Sequence, residues 1–150
     1  MFSSNNFRNT YKIRTMKIIK KANDLMELSL KVDKAVELAC MVCNIKEKEF
    51  YSSTRLRHII DARRIVYSYC RESLEMHWMA IAKQFNINHA TAIHHCKIHK
   101  QLMEYDTFYL KKYESFAKLL AEEITLFDIE KIIEVAKKLK EDEENLSKKE

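Results

Sequence analysis

Glycine and proline are both absent from the 150 residues. Their absence removes the commonest ways of making tight turns, so a protein rich in hairpins is disfavoured. Without glycine there is no phosphate-cradling loop and no dinucleotide fingerprint, so no nucleotide is expected as ligand or cofactor. Nor does any stretch approach the ~18 consecutive apolar residues of a membrane span. The first residues, MFSSNNFRN, lack a secretory apolar core, so a cytoplasmic protein is expected. The four cysteines are then expected as thiols. Hydrophobic residues at 47% and charged residues at 33% suit a packed domain rather than a disordered chain.

Charge is unevenly spread. Residues 1–21 carry six basic side chains and no acid, and residues 51–100 carry a net +5. Residues 22–50 and 101–150 are net negative, at −2 and −4. A positive middle with a positive arm is the electrostatic footprint of a nucleic-acid binder, although solvated helix faces also carry such charge.

Apolar spacing predicts helices throughout. One basic helix is expected over Lys12–Leu30 and another over Val32–Asn44, with Ala35, Val36, Ala39, Cys40 and Cys43 inward. A short turn near 45–51 leads to a basic loop holding Arg55 and Arg57. A long helix over His58–Ser73 follows, with Arg63, Arg64 and Arg71 off its apolar face. Next comes a short helix over Met76–Phe85, buried through Trp78, Ile81, Ala82 and Phe85. Asn86 can stand in for glycine at the closing left-handed position, and Asn88 is a good N-cap for the next helix. That helix, His89–Glu104, is expected to turn Ala92, Ile93, Cys96 and Met103 inward. Asp106 caps a further helix, and a last one over Glu122–Lys140 carries Leu126, Ile129, Ile133, Ala136 and Leu139 on one face. The fold class is therefore all-α: a helical bundle containing a helix-turn-helix, with an extra C-terminal helix. The expected division is a basic arm at 1–31, the helix-turn-helix domain at 32–120, and an amphipathic helix with a charged tail at 121–150.

A helix-turn-helix sets the start of its second helix against base edges. Here that start presents Asn88, His89, Ala90 and Thr91. Asn suits adenine, Ala suits a thymine methyl, and His or Thr can meet a base or a phosphate. Arg55 and Arg57, in a loop with no core to serve, could enter the flanking minor groove. Arg63, Arg64 and Arg71 are spaced to meet phosphates along one side.

The stretch ARRIVYSYCRESLEMHWMAIAKQFNINHATAIHHCKIHK resembles the C-terminal DNA-binding domain of the bacterial replication initiator DnaA. That family's Asp-His-Thr-Thr signature appears here as Asn88-His89-Ala90-Thr91. The resemblance covers about Val32–Leu120. It implies a Trp-repressor-like helix-turn-helix that recognises short asymmetric boxes in double-stranded DNA. It also implies that Arg55 enters the minor groove and that Arg63 and Arg71 take family positions on the long helix. Asn88 and His89 take base-reading positions, and Thr91 matches a threonine at the start of the same helix. The chain departs from the pattern where the signature acid is Asn88, where its first threonine is Ala90, and where Arg64 replaces a glutamine. The turn is also one residue shorter. A box unlike the bacterial consensus is then expected. With no ATPase domain, a stand-alone origin binder, a regulator, or a phage or mobile-element protein is the expected setting.

Other chemistry is weaker. His95 and His99 with Cys40 and Cys43 could compose a zinc set, but the two cysteines sit in an apolar stripe, so no metal is expected. No ordered triad or oxyanion loop accompanies the cysteines and histidines, so no catalysis is expected. His94 and His95 are expected near DNA or solvent, and Trp78 in the core. The alternative function is a helical interaction protein that binds a replication or transcription protein. Its C-terminal helix could also dimerise.

Overall fold

The computed structural model describes residues 4–149 and contains six helices and no strand among them. The elements are α1 (Ser4–Cys43), α2 (Glu47–Phe50), α3 (Arg57–Glu72), α4 (Trp78–Phe85), α5 (His89–Tyr105) and α6 (Thr107–Ser147). Of the basic arm expected at 1–31, the side chains of Ile13, Lys17, Asp24 and residues 27–31 are described, and the others lie outside the described residues.

Two expected helix pairs are single helices. No break separates the basic segment from Val32, and none separates the Asp106 helix from the Glu122 helix. Neither junction holds a proline, a glycine or a left-handed residue. Propagating a helix costs less than nucleating a second one, so each runs through. The boundaries expected at 31/32 and 120/121 therefore fall inside α1 and α6.

Where the chain does turn, asparagine supplies the left-handed residue, as expected at Asn86, and at Asn44 as well. Asn44 and Asn86 adopt φ of 54° and 52°. Each turn is closed by a six-to-one hydrogen bond, Ile45 N–H to the Cys40 carbonyl (3.0 Å) and Ile87 N–H to the Ala82 carbonyl (2.9 Å). Glu75 takes the same conformation between α3 and α4, at φ 53°.

The core gathers Val36, Leu38 and Ala39 of α1, Phe50 of α2, Ile65, Val66 and Cys70 of α3, Ile81 of α4, Ala92 of α5, and Tyr109 and Phe116 of α6. Two polar groups are buried with it. Asp61, only 2% exposed, is ringed by Arg64 (3.3 Å), Lys112 (3.3 Å) and Arg57 (4.0 Å). His99 Nδ1 shares a hydrogen bond with the Tyr109 hydroxyl, tying α5 to α6.

Beyond the core, α1 and α6 run antiparallel. Lys34 pairs with Glu123 (3.5 Å) and Lys131 with Glu27 (3.1 Å). At ~100° per residue, Ile129 and Ile133 stand about half a turn from Lys131. The expected apolar stripe on α6 therefore faces away from α1, and Leu126, Ile129, Ile133 and Leu139 are exposed.

Candidate nucleic-acid interface

The site begins at Asn88. Its side-chain Oδ1 accepts the Ala90 N–H at 2.9 Å, which makes it the N-cap of α5. Asp and Asn both cap through an oxygen, so the residue retains the capping acceptor while removing a negative charge from the helix start. The same bond uses one of the two lone pairs of the oxygen that a two-point contact with adenine would also engage. His89, Ala90 and Thr91 are exposed around it.

Below them α5 turns Ala92, Cys96 and His99 into the core. Ala90, His94 and Lys97 form the opposite, exposed face at helical spacing. Ile93 was expected inward but is 41% exposed. His95, expected near DNA or solvent, is half-buried, with its ring 5.4 Å from that of Tyr67. Burial, then the charges of Arg64, His94 and Arg63, pushes its pKa down to about 4.

An aromatic cluster joins this helix to the basic loop. Tyr67 lies 5.0 Å from Phe85 between ring centroids, and Phe85 lies 6.0 Å from Phe50. Phe50 ends α2 just before the loop, and Phe85 ends α4 just before the Asn86 turn. The end of α2 is thereby packed against the end of α4, and Arg55, in the loop after α2, is exposed.

The helix arginines are placed differently from the expectation. Arg63 donates through Nε to the Phe50 carbonyl (2.9 Å) and through Nη1 to that of Thr54 (2.9 Å). Its Nη2 reaches the carbonyls of Ser52 and Glu49. Instead of standing free for a phosphate, it folds the loop. Arg64 is directed to Asp61 and is largely buried. Arg71 donates to the Met76 carbonyl (3.0 Å) and covers the Trp78 ring at 4.6 Å. Trp78 is accordingly half-buried under a cation rather than fully in the core. Arg57 is not a loop residue. It opens α3 and pairs with Asp106 at 2.6 Å, while its side chain stays 67% exposed. Asp106 uses its other oxygen to cap α6 at Phe108 and Tyr109 (both 3.1 Å).

On α4 and α5 the exposed cations that sequence reasoning passed over are Lys83, Lys97 and Lys100. Lys97 could have been found from its spacing, four residues after Ile93 and seven after Ala90. No group of three or more His, Cys, Asp or Glu side chains among the described residues could hold a metal ion. Cys40 and Cys43 are buried, their pKa values pushed up to about 12 and about 11 chiefly by burial.

Residues 32–98 match the family described as the bacterial dnaA protein helix-turn-helix. This segment is a DnaA-type helix-turn-helix domain. The family is a DNA-binding one rather than a catalytic one. A solved structure described as a DNA replication initiation factor superposes on 82% of this chain, with a TM-score of 0.62 and 19% identity. This chain spans 39% of that factor's chain, and at that identity the likeness is one of fold. No curated protein matches by sequence. Within the DnaA-type domain, α4 and α5 are the two helices of the motif and Asn86–Asn88 its turn. Among the described residues no helix is long and apolar enough to cross a membrane.

Proposed function

We propose that this protein binds duplex DNA site-specifically, at boxes akin to those of DnaA, in replication initiation or its regulation. The observation that carries the reading is the exposed start of α5. It presents His89, Ala90 and Thr91 to solvent, and Arg55 is exposed on the loop after α2. The first turn of α5 has the polarity to enter the major groove, where its macrodipole also favours a nearby phosphate. Arg55 enters the adjacent minor groove. Affinity comes from phosphates neutralised by exposed lysines, and specificity from the base edges that His89 and its neighbours meet. Asn88 contributes chiefly as the cap that orients this turn, with its amide nitrogen left as a donor.

Selection of bound duplexes from a random pool tests this. Enrichment of one short asymmetric motif, lost in the double variant Arg55→Ala, His89→Ala, is the expected result. Enrichment of no motif would reject the reading.

A second reading is favoured by the outward stripe of α6, because large apolar side chains at helical spacing on an exterior face mark contact surfaces. In it the protein acts through a helical partner, a second copy being the first to test. Sedimentation equilibrium of the wild type and of Ile129→Glu, Ile133→Glu decides between a self-associating chain and a monomer.

A further inference from the structure

Ile93 is a large aliphatic side chain exposed on the outward side of α5. The flanking Ala92 is fully buried and Cys96, one turn on, nearly so, so the helix has no shortage of core-facing positions. Ala90 lies three residues before Ile93 and is also exposed, so the two are neighbours on the helix surface. His94 and Lys97 flank them, both exposed. An apolar strip with basic or polar edges therefore occupies the first two turns, where a recognition helix meets bases.

We propose that Ile93, together with Ala90, reads thymine 5-methyl groups in the major groove, which makes Ile93 a specificity-determining residue. This rests on the DNA-binding reading above and adds the base class that the helix prefers. The major-groove edge of every base pair is a row of donors and acceptors, and the thymine methyl is its apolar feature. An aliphatic side chain pressed on a donor or acceptor strips it of water and returns no hydrogen bond. Against a methyl, both partners lose only apolar contact with water. The strip therefore selects thymine and also disfavours the other bases at that position. Ala90 bears a methyl and no hydroxyl, so the strip holds no hydrogen-bonding group at that position.

The test uses the duplex most enriched by the wild type. It is synthesised with deoxyuridine in place of each thymine in turn, which removes one methyl and nothing else. Dissociation constants are measured for the wild type and for Ile93→Ala, an exposed position whose folding is checked by circular dichroism. At one or two thymines, loss of the methyl should weaken wild-type binding about fourfold, the worth of burying one methyl group. Ile93→Ala should bind both forms of those duplexes alike. Wild-type binding indifferent to every deoxyuridine, or a full penalty retained in Ile93→Ala, overturns the proposal and leaves DNA binding intact. Failure to enrich any duplex removes the DNA-binding reading, and the strip with it.

Discussion

Arg63 Nη1 donates to the carbonyl oxygen of Thr54 at 2.9 Å, one residue before Arg55. With its further bonds to the carbonyls of Phe50, Ser52 and Glu49, this side chain shapes the segment that carries Arg55. Under the proposed function Arg63 is thus a positioning residue and Arg55 the contact. Arg63→Ala should lower stability by ~1–3 kcal/mol, the cost of stranding partly buried carbonyls. It should also weaken DNA binding through Arg55. In a double-mutant cycle on affinity, Arg55→Ala should cost less in the Arg63→Ala background than in the wild type. Additive losses would show that the two act separately.

Lys97 is exposed on the outward face of α5, whereas the guanidinium groups of Arg63, Arg64 and Arg71 are engaged within the fold. Lys97→Ala should therefore weaken binding to all sequences alike and flatten the slope of log K against log salt by about one. Titrations at four or more salt concentrations would check this. An unchanged slope would place the phosphates elsewhere.

Asp61 is a buried carboxylate whose three cationic partners come from α3 and α6. Asp61→Ala leaves Arg64 largely buried without its counter-charge. We expect a loss of about 2 kcal/mol or more in urea denaturation. The double variant Asp61→Leu, Arg64→Met should recover part of it, since an apolar pair needs no desolvated charge. A loss confined to a few tenths of a kcal/mol would mean that the cluster is incidental.

Two histidines make stability depend on pH. His95 and His99 both have folded pKa values below the usual histidine value, chiefly through burial. The unfolded chain therefore takes up protons before the folded one does. Stability is complete above the ordinary histidine range and falls as pH drops through about 6.5 towards the folded value, about 4 for His95. Denaturant midpoints at pH 7.5, 6.0 and 5.0 should decline in that order. His95→Phe, which preserves the ring packing on Tyr67, should decline less. Equal declines would assign the effect to other groups.

Much of the fold is legible because its punctuation is local. Asn86, Asn88 and Asp106 act through their own backbone and the next three residues, so type and position suffice to read them. The long continuous helices were missed for a related reason: a change of charge at Val32 looks like a boundary, but only a cap or a breaker makes one. The site was read less completely. The recognition-helix start follows from the turn before it, yet the destination of a long side chain is set by tertiary contact. Nothing local distinguishes Arg63, which bonds carbonyls of the preceding loop, from Arg55, which stands free of the core. Ile93 was misassigned because an exposed aliphatic residue at helical spacing has the signature of a core residue.

The most direct test of the central claim is the specificity ratio of His89→Ala. Dissociation constants for the enriched duplex and for a scrambled duplex of the same composition would be measured by fluorescence anisotropy at one fixed salt concentration. If His89 meets a base edge from the first turn of α5, the variant should lose discrimination by ~1–3 kcal/mol, roughly 5- to 150-fold, with little change on scrambled DNA. A ratio equal to that of the wild type would contradict the account, because the start of α5 would then not be reading bases.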